Sequence, residues 1–329
     1  MKQVGLLGHP SNCRGAVASG AGRRWTRCTI VEQMGPERPG EWDAMRRAPR
    51  MYRPVSALAD YTEIIGHWHA HVGYRSRGLP RGAITLIIDV GRRQQLDFYA
   101  ADGRTRLSVP PAFLTGSHTV SYVSEMAADE PAMAVHFRPG GAFPFLGMPL
   151  SDLENAHVGL DQVWGRAGME LHERLIDAPT IAARFSTLEN FLLWQRWSSA
   201  RRHPGVAAAM AAIEDNPSIR MADIRDLVGM STKRLIALFR AEVGLSPKAY
   251  ARIRRFQAAL RLLSAGRPGA RVAADVGYFD QAHFVREFRS FTGMTPTHYA
   301  EQRILLPSHV PVADRVRHKY PRPLAAACS

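Results

Sequence analysis

Three histidines at alternate positions, His67, His69 and His71, are the first residues whose spacing could do chemistry. On a strand, residues two apart point to one side. Three imidazoles on one sheet face could ligate a metal, with His118 or His136 completing the set. The enzyme this would make is a metal-dependent oxygenase or isomerase. No Asp or Glu lies within the triplet, and Trp68 between the histidines is the side chain expected to pack inward, turning them to solvent. No other catalytic set stands out and no resident cofactor is expected. A second candidate set occurs twice. It consists of Ser231, Thr232, Lys233, Ile236, Ala237 and Arg240, then Gln281, Ala282, His283, Val285, Arg286 and Arg289. Its chemistry is recognition: an arginine fork suits guanine, a glutamine amide suits adenine, and Lys or Thr suits phosphate oxygens.

The elements that would position this second set are themselves duplicated. Ile224–Ala251 reads as a short helix, a turn at Gly229, a second helix and an exit at Ser246-Pro247. Val272–Ala300 repeats the plan with a turn at Gly277 and an exit at Thr295-Pro296. Glycine tolerates the left-handed backbone of such turns. Ser231 and Asp280 are N-cap residues for the second helix of each unit. Leu235, Leu238 and Phe239, then Phe284 and Phe288, are spaced three and four apart, so one stripe of each helix faces a core. Gly229 and Gly277 are 48 residues apart, whereas Phe239 and Phe288 are 49 apart, so the second turn is one residue longer. Proline after an N-cap residue opens a helix at no cost in hydrogen bonds. The first such exit opens a long helix with Ile253, Phe256, Leu260 and Leu263 on its buried stripe and Arg252, Arg254, Arg255 and Arg261 largely elsewhere. Gly266 and Pro268 end it. A helix-turn-helix unit inserts its second helix into the major groove, and a rod of roughly 25 Å could set two such helices about one DNA turn, roughly 34 Å, apart.

This arrangement resembles the DNA-binding domain of the AraC/XylS family of transcriptional regulators, over about Val206 to Ala300. The segment Gly277-Tyr-Phe-Asp-Gln-Ala-His-Phe-Val-Arg-Glu-Phe-Arg289, with Gly293-Met-Thr-Pro296 and Tyr299, carries the likeness most closely. The resemblance implies recognition helices at about 231–242 and 280–291. It implies base-facing positions at Lys233, Ile236 and Ala237, and at Gln281, Ala282, Val285 and Arg286. One departure is Gly269, where the family usually has an apolar residue; glycine costs about 1 kcal/mol against alanine inside a helix.

Charge agrees with that reading. The chain of 329 residues has 43 Lys and Arg against 29 Asp and Glu, a formal net charge of +14. Residues 201–300 contain 16 Lys and Arg against 8 Asp and Glu, a net of +8, as expected of a surface that meets phosphates. A basic membrane-surface protein is the competing class, but no apolar run approaches the roughly 20 residues of a span. Cys13, Cys28 and Cys328 all lie in the end segments, which offers no disulfide framework, zinc spacing or reactive body thiol. A cytoplasmic location is the default.

Upstream, Ile84-Thr-Leu-Ile-Ile-Asp-Val90 is a strand-like apolar run. Further strands are expected at Tyr61–His71, Gln95–Ala100, Val120–Met126 and Met133–Phe137. The fold class is therefore α+β. An antiparallel β barrel or sandwich precedes helices at Ala167–Leu175 and Ile181–Trp197, and an all-α domain with two helix-turn-helix units joined by a long helix follows. The expected organisation is a disordered leader over 1–44 (with Met45 or Met51 as alternative starts), a sensor or dimerisation domain over 45–165 and bridging helices over 166–200. The DNA-binding domain follows over 201–304, with a loose tail over 305–329. The segments Leu79-Pro-Arg-Gly82, Val135-His-Phe-Arg-Pro-Gly-Gly-Ala142 and Leu153-Glu-Asn155 are similar to a cupin-like sensor domain attached to some AraC-type regulators. The expected partners are double-stranded DNA, a small-molecule effector and RNA polymerase, with no membrane, for a monomer or homodimer.

Overall fold

The computed structural model describes residues 50–70, 73–91, 93–126, 130–196, 201–301 and 308–312. The expected leader and the three cysteines lie outside them, as does His71.

The run at Thr85–Asp89 organises the N-terminal half. It pairs with Glu130–Phe137 on one side and Ala112–Thr115 on the other. This puts it inside a six-stranded antiparallel sheet, completed by Arg50–Tyr52, Thr62–Ala70 and His157–Gly159. Leu86 and Ile88 join a core with Leu171, Leu175, Phe185, Leu188 and Leu192, whereas Ile87 packs with Phe98, Phe113 and Tyr122 on the other face. Coverage on both faces explains why Leu86, Ile87 and Ile88 are apolar in succession instead of alternating. The helices Arg166–Asp177 and Ile181–Gln195 thus cover one face of this sheet. They were expected as a bridge; their apolar stripe is instead part of the β-domain core.

The second sheet has five strands, ordered His309–Pro311, Tyr74–Gly78, Tyr122–Met126, Leu96–Tyr99 and Arg106–Val109. Among the described residues no ladder joins the two sheets, so the domain is a two-sheet sandwich and not a closed barrel. The strand at His309–Pro311 (β11) corrects the expectation of a loose tail. Beyond the helical domain the chain returns and pairs with Tyr74–Gly78 (β3), Val310 opposite Arg77.

The C-terminal half is helical. We number its helices α6 (Pro204–Asp215), α7 (Met221–Val228), α8 (Thr232–Val243), α9 (Pro247–Ser264), α10 (Gly269–Asp275), α11 (Gln281–Thr292) and α12 (Pro296–Glu301), after five shorter or sheet-covering helices among the described residues upstream. The long helix α9 serves two cores. Tyr250 and Ile253 pack with Leu235, Phe239 and Val243, and Phe256, Leu260 and Leu263 pack with Phe284, Phe288 and Tyr299. Gly269 falls on the first residue of α10, behind Pro268, where it sits at the helix end and not in the interior.

Candidate nucleic-acid interface

Each helix-turn-helix unit is built by short-range bonds that its sequence dictates. Gly229 takes φ 63° and closes α7, and Ser231 Oγ accepts from the Arg234 amide at 3.3 Å to open α8. Gly277 takes φ 77°, and Asp280 Oδ1 accepts from the His283 amide at 2.6 Å to open α11. A side chain at the N-cap satisfies one of the free amides of the first turn. The stripe residues Leu235, Phe239, Phe284 and Phe288 are buried, and this turns the opposite faces outward.

On α8 the outward residues Thr232, Lys233 and Ala237 are exposed, Ser231 caps from an exposed position, and Ile236 is half-buried. On α11, Gln281, Ala282, Arg286 and Arg289 are exposed, and His283 and Val285 are half-buried. His283 stacks edge-on to Tyr278 at 5.3 Å, and Val285 packs against the second core. Lys233, Arg286 and Arg289 make no ion pair among the described residues, leaving their charges available for phosphates or base edges.

Other cations are committed inside the fold. Arg240 lies 3.1 Å from Glu154 of the β domain. Arg252 and Arg255 of α9 lie 2.7 and 3.6 Å from Glu287, a buried carboxylate on α11 that also accepts from the Tyr278 hydroxyl at 2.7 Å. Arg254 lies 2.6 Å from Glu214. The pairs of Arg252, Arg254 and Arg255 lock α9 to its neighbours. The acids Glu287 and Glu154 were not singled out from the sequence. Glu287 is a charged residue set among Phe284, Phe288 and Phe291 on the buried face of its helix, and Glu154 acquires its partner only through the tertiary fold.

The β domain holds the C-terminal ends of both outward helices. Ser117 Oγ donates to the Val243 carbonyl at 3.2 Å, and a Cβ on Gly244 would stand 3.1 Å from the Leu150 carbonyl oxygen. At the second unit the Arg77 guanidinium lies 3.4 Å from where a Cβ on Gly293 would be. Gln257 Nε2 donates to the Pro80 carbonyl at 2.6 Å, and Arg202 Nη2 to the Pro139 carbonyl at 3.1 Å. Leu79 and Val310 are themselves members of the second helical core. The N-terminal ends of α8 and α11, with Lys233 and Gln281, are outside these contacts.

His67 and His69, the two described histidines of the triplet, have different surroundings. Trp68 lines the space between the sheets, as its bulk suggested, but His67 turns to the opposite face and is buried, its Nε2 3.2 Å from Arg184 Nη1. The helix Ile181–Gln195 covers His67 on that face, whereas His69 is half-buried and lines the space between the sheets. Burial, with Arg184 beside it, lowers the His67 pKa to about 4. His136 instead contacts Arg81 at 2.6 Å, and His118 stacks on His157 at 4.9 Å. Among the described residues no three His, Cys, Asp or Glu side chains come together as a metal set. The described residues therefore give no support to a metal-dependent enzyme built on His67, His69 and His71, of which His71 lies outside them.

The sandwich does enclose a cavity of about 290 Å³, lined from both sheets, with Trp68, Ile87 and Phe98 among its walls and Arg81, His136 and His309 at one end.

Comparison with known proteins agrees with this geometry. Residues 225–302 match a family described as a helix-turn-helix domain, and residues 50–159 match a domain of unknown function. The arabinose operon regulatory proteins of Escherichia coli K12 and Salmonella typhimurium are each 36% identical over 80 residues. The C-terminal helical domain is thus similar to the helix-turn-helix domain of AraC-type regulators. The likeness to these AraC-type relatives covers 24% of this chain and 27% and 28% of theirs, so the chain spans about a quarter of the length of the curated relatives it matches. Among solved structures, a DNA-binding transcriptional dual regulator from Escherichia coli K-12 is 30% identical. It covers 32% of this chain and 97% of its own, at a TM-score of 0.29. ToxT from Vibrio cholerae is 10% identical and covers 72% of this chain and 96% of its own, at a TM-score of 0.41. Among the described residues no helix is long and apolar enough to cross a membrane.

Proposed function

We propose that this protein is a sequence-specific DNA-binding regulator of transcription. The helices at about 231–242 and 280–291 enter successive major grooves on one face of the duplex. Lys233, Ile236 and Ala237 face bases from the first, and Gln281, Ala282, Val285 and Arg286 from the second. Ser231, Thr232, His283 and Arg289 flank them, with Thr232 and Arg289 placed for phosphates. Arg240, expected beside them, is assigned instead to the contact with Glu154.

The observation that carries this reading is the division of each outward helix. Its N-terminal half exposes polar and cationic side chains, and its C-terminal end lies against the β domain. Helix-turn-helix proteins use those N-terminal residues at base edges. The 18 residues of α9 give a rod of about 27 Å, of the order of one helical turn of DNA. The β domain senses a small-molecule effector in its cavity and adjusts how the two helices are presented, a population shift between arrangements of one chain. RNA polymerase and a second copy of the chain are further partners consistent with that role, and the cytoplasm is where it would act.

The test is enrichment of bound fragments from a random-sequence duplex pool by the full chain, followed by anisotropy titration of the enriched site. Binding that survives a large excess of random DNA and falls with salt supports the reading. Affinity equal for enriched and random duplexes would sink it.

A further inference from the structure

The cavity has two chemically different ends, and the strand Thr85–Asp89 runs from one to the other, about 13 Å at 3.3 Å per residue. At the Asp89 end acids outnumber cations: Arg93 lies 2.9 Å from Glu130 and 3.0 Å from Asp97, and the buried Asp89 lines the wall beside them. At the Thr85 end the excess is positive. Arg81 Nη1 donates to Thr85 Oγ1 at 3.2 Å and to His136 Nδ1 at 2.6 Å. Tyr122 and His309 line the same end. The acid paired with Arg81 is Glu63, whose side chain is 56% exposed and stands outside the cavity wall. Burial and the Arg81 charge hold His136 and His309 well below their ordinary pKa, so both are neutral at pH 7. This end therefore offers a cation and several hydrogen-bonding groups with no carboxylate lining it. Between the ends the wall is apolar, with Ile87, Phe98, Trp68 and Ala134.

We propose that this cavity binds a small, mainly apolar monoanion, a carboxylate in its simplest form, with the charged head on Arg81 and the apolar body between Ile87, Phe98 and Trp68. An apolar pocket with a few convergent polar groups is the usual form of a small-molecule site, and about 290 Å³ is at the small end of the range. A monoanion satisfies the donors at the Arg81 end, and an amine would meet that guanidinium as a like charge.

The head group would also sit where the two domains join, and this part of the proposal rests on the DNA-binding reading above. Arg81 belongs to the turn 79–82. In that turn Leu79 is in the second helical core, the Pro80 carbonyl accepts from Gln257, and Gly82, at φ 70°, lies against Tyr250. His309 belongs to β11, whose Val310 is in the same helical core. A carboxylate on Arg81 competes with Glu63 for that guanidinium and shifts the turn that carries α9. Occupancy thereby changes DNA affinity, and DNA changes ligand affinity by the same factor.

The experiment is calorimetric titration of the full chain with octanoate and 3-phenylpropionate, beside 3-phenylpropanol and 3-phenylpropylamine. The expected result is saturable binding of the acids at least tenfold tighter than the alcohol, no binding of the amine, and loss of the acid preference in Arg81→Gln. The comparison of acid with alcohol on the unaltered chain stands even if that variant misfolds. Failure of both acids to bind, or equal affinity for acid and alcohol, overturns the proposal. The anisotropy titration separates the two claims. Sequence-specific DNA binding without acid selectivity leaves the regulator reading intact and removes this one, whereas acid binding without DNA binding does the reverse.

Discussion

Replacing Arg286 by alanine separates base reading from every other role of α11. The side chain is exposed, one position before the buried Glu287, and makes no ion pair among the described residues. Its removal therefore breaks no internal contact, and stability should move by no more than about 0.5 kcal/mol. On DNA the loss is different. An arginine fork on guanine contributes about 1–3 kcal/mol of discrimination, or roughly 5- to 140-fold in affinity at 1.4 kcal/mol per decade. Anisotropy titrations of the enriched site and its single-base variants would show that loss at one base pair, with the other positions read as before. Arg240→Ala is the internal control, since that side chain spends its charge on Glu154. Weakening that is uniform over all sequences would make Arg286 a phosphate contact. No change in binding, or a large fall in stability, would refute the placement of this helix face.

Lys233→Ala should flatten the salt dependence of binding by about one unit in log Kd against log salt if the ammonium meets a phosphate, and change base preference if it does not. Glu287→Gln removes the charge shared by Arg252, Arg255 and the Tyr278 hydroxyl; denaturant unfolding should show a loss of about 1.5–3 kcal/mol, and an unchanged midpoint would contradict the network. Gly140 has φ 65°, and a Cβ there would stand 3.0 Å from the Glu242 carbonyl oxygen, so Gly140→Ala should lower the thermal midpoint by a few degrees for a cost of about 1–2 kcal/mol. Burial lowers the pKa of His67, His118 and His309 to about 4 and of His157 to about 3. The unfolded chain takes up these protons first, so the stability they contribute is fully present above pH 6.5 and is lost as pH falls toward 4, by up to about 1.4 kcal/mol per unit for each histidine. Fluorescence-monitored unfolding at pH 7 and pH 5 checks the sign; greater stability at pH 5 would contradict it.

The helical half was legible because its signals are local. Ser231 and Asp280 cap helices with bonds to amides three residues on, and Gly229 and Gly277 take the left-handed turn that only their immediate neighbours require. Of the strands, Thr85–Asp89 and Glu130–Phe137 announce themselves by apolar density. Tyr74–Gly78 does not, because it carries Arg75 and Arg77 and gains strand character from its partners. The short strand His309–Pro311 is set wholly by pairing with a segment more than two hundred residues earlier, and a local reading takes it for tail. The histidine spacing was a poor guide for a related reason. Period-two spacing puts residues on one face of a strand but does not say what covers each of them, and here Arg184 of helix Ile181–Gln195 covers His67. The segments 79–82, 135–142 and 153–155 resemble a sensor domain in sequence. In the fold they carry contacts to the helical domain, through Pro80 with Gln257, Pro139 with Arg202, and Glu154 with Arg240. Residues that converge from distant segments on a second domain have no local pattern to reveal them.

The central claim is that one chain places two recognition helices on DNA at once. Hydroxyl-radical footprinting of the full chain on its enriched duplex tests it directly. The account predicts two protected stretches on one face, about 10 base pairs apart, with Lys233→Ala weakening one and Arg286→Ala the other. A single protected stretch affected by both substitutions would contradict it.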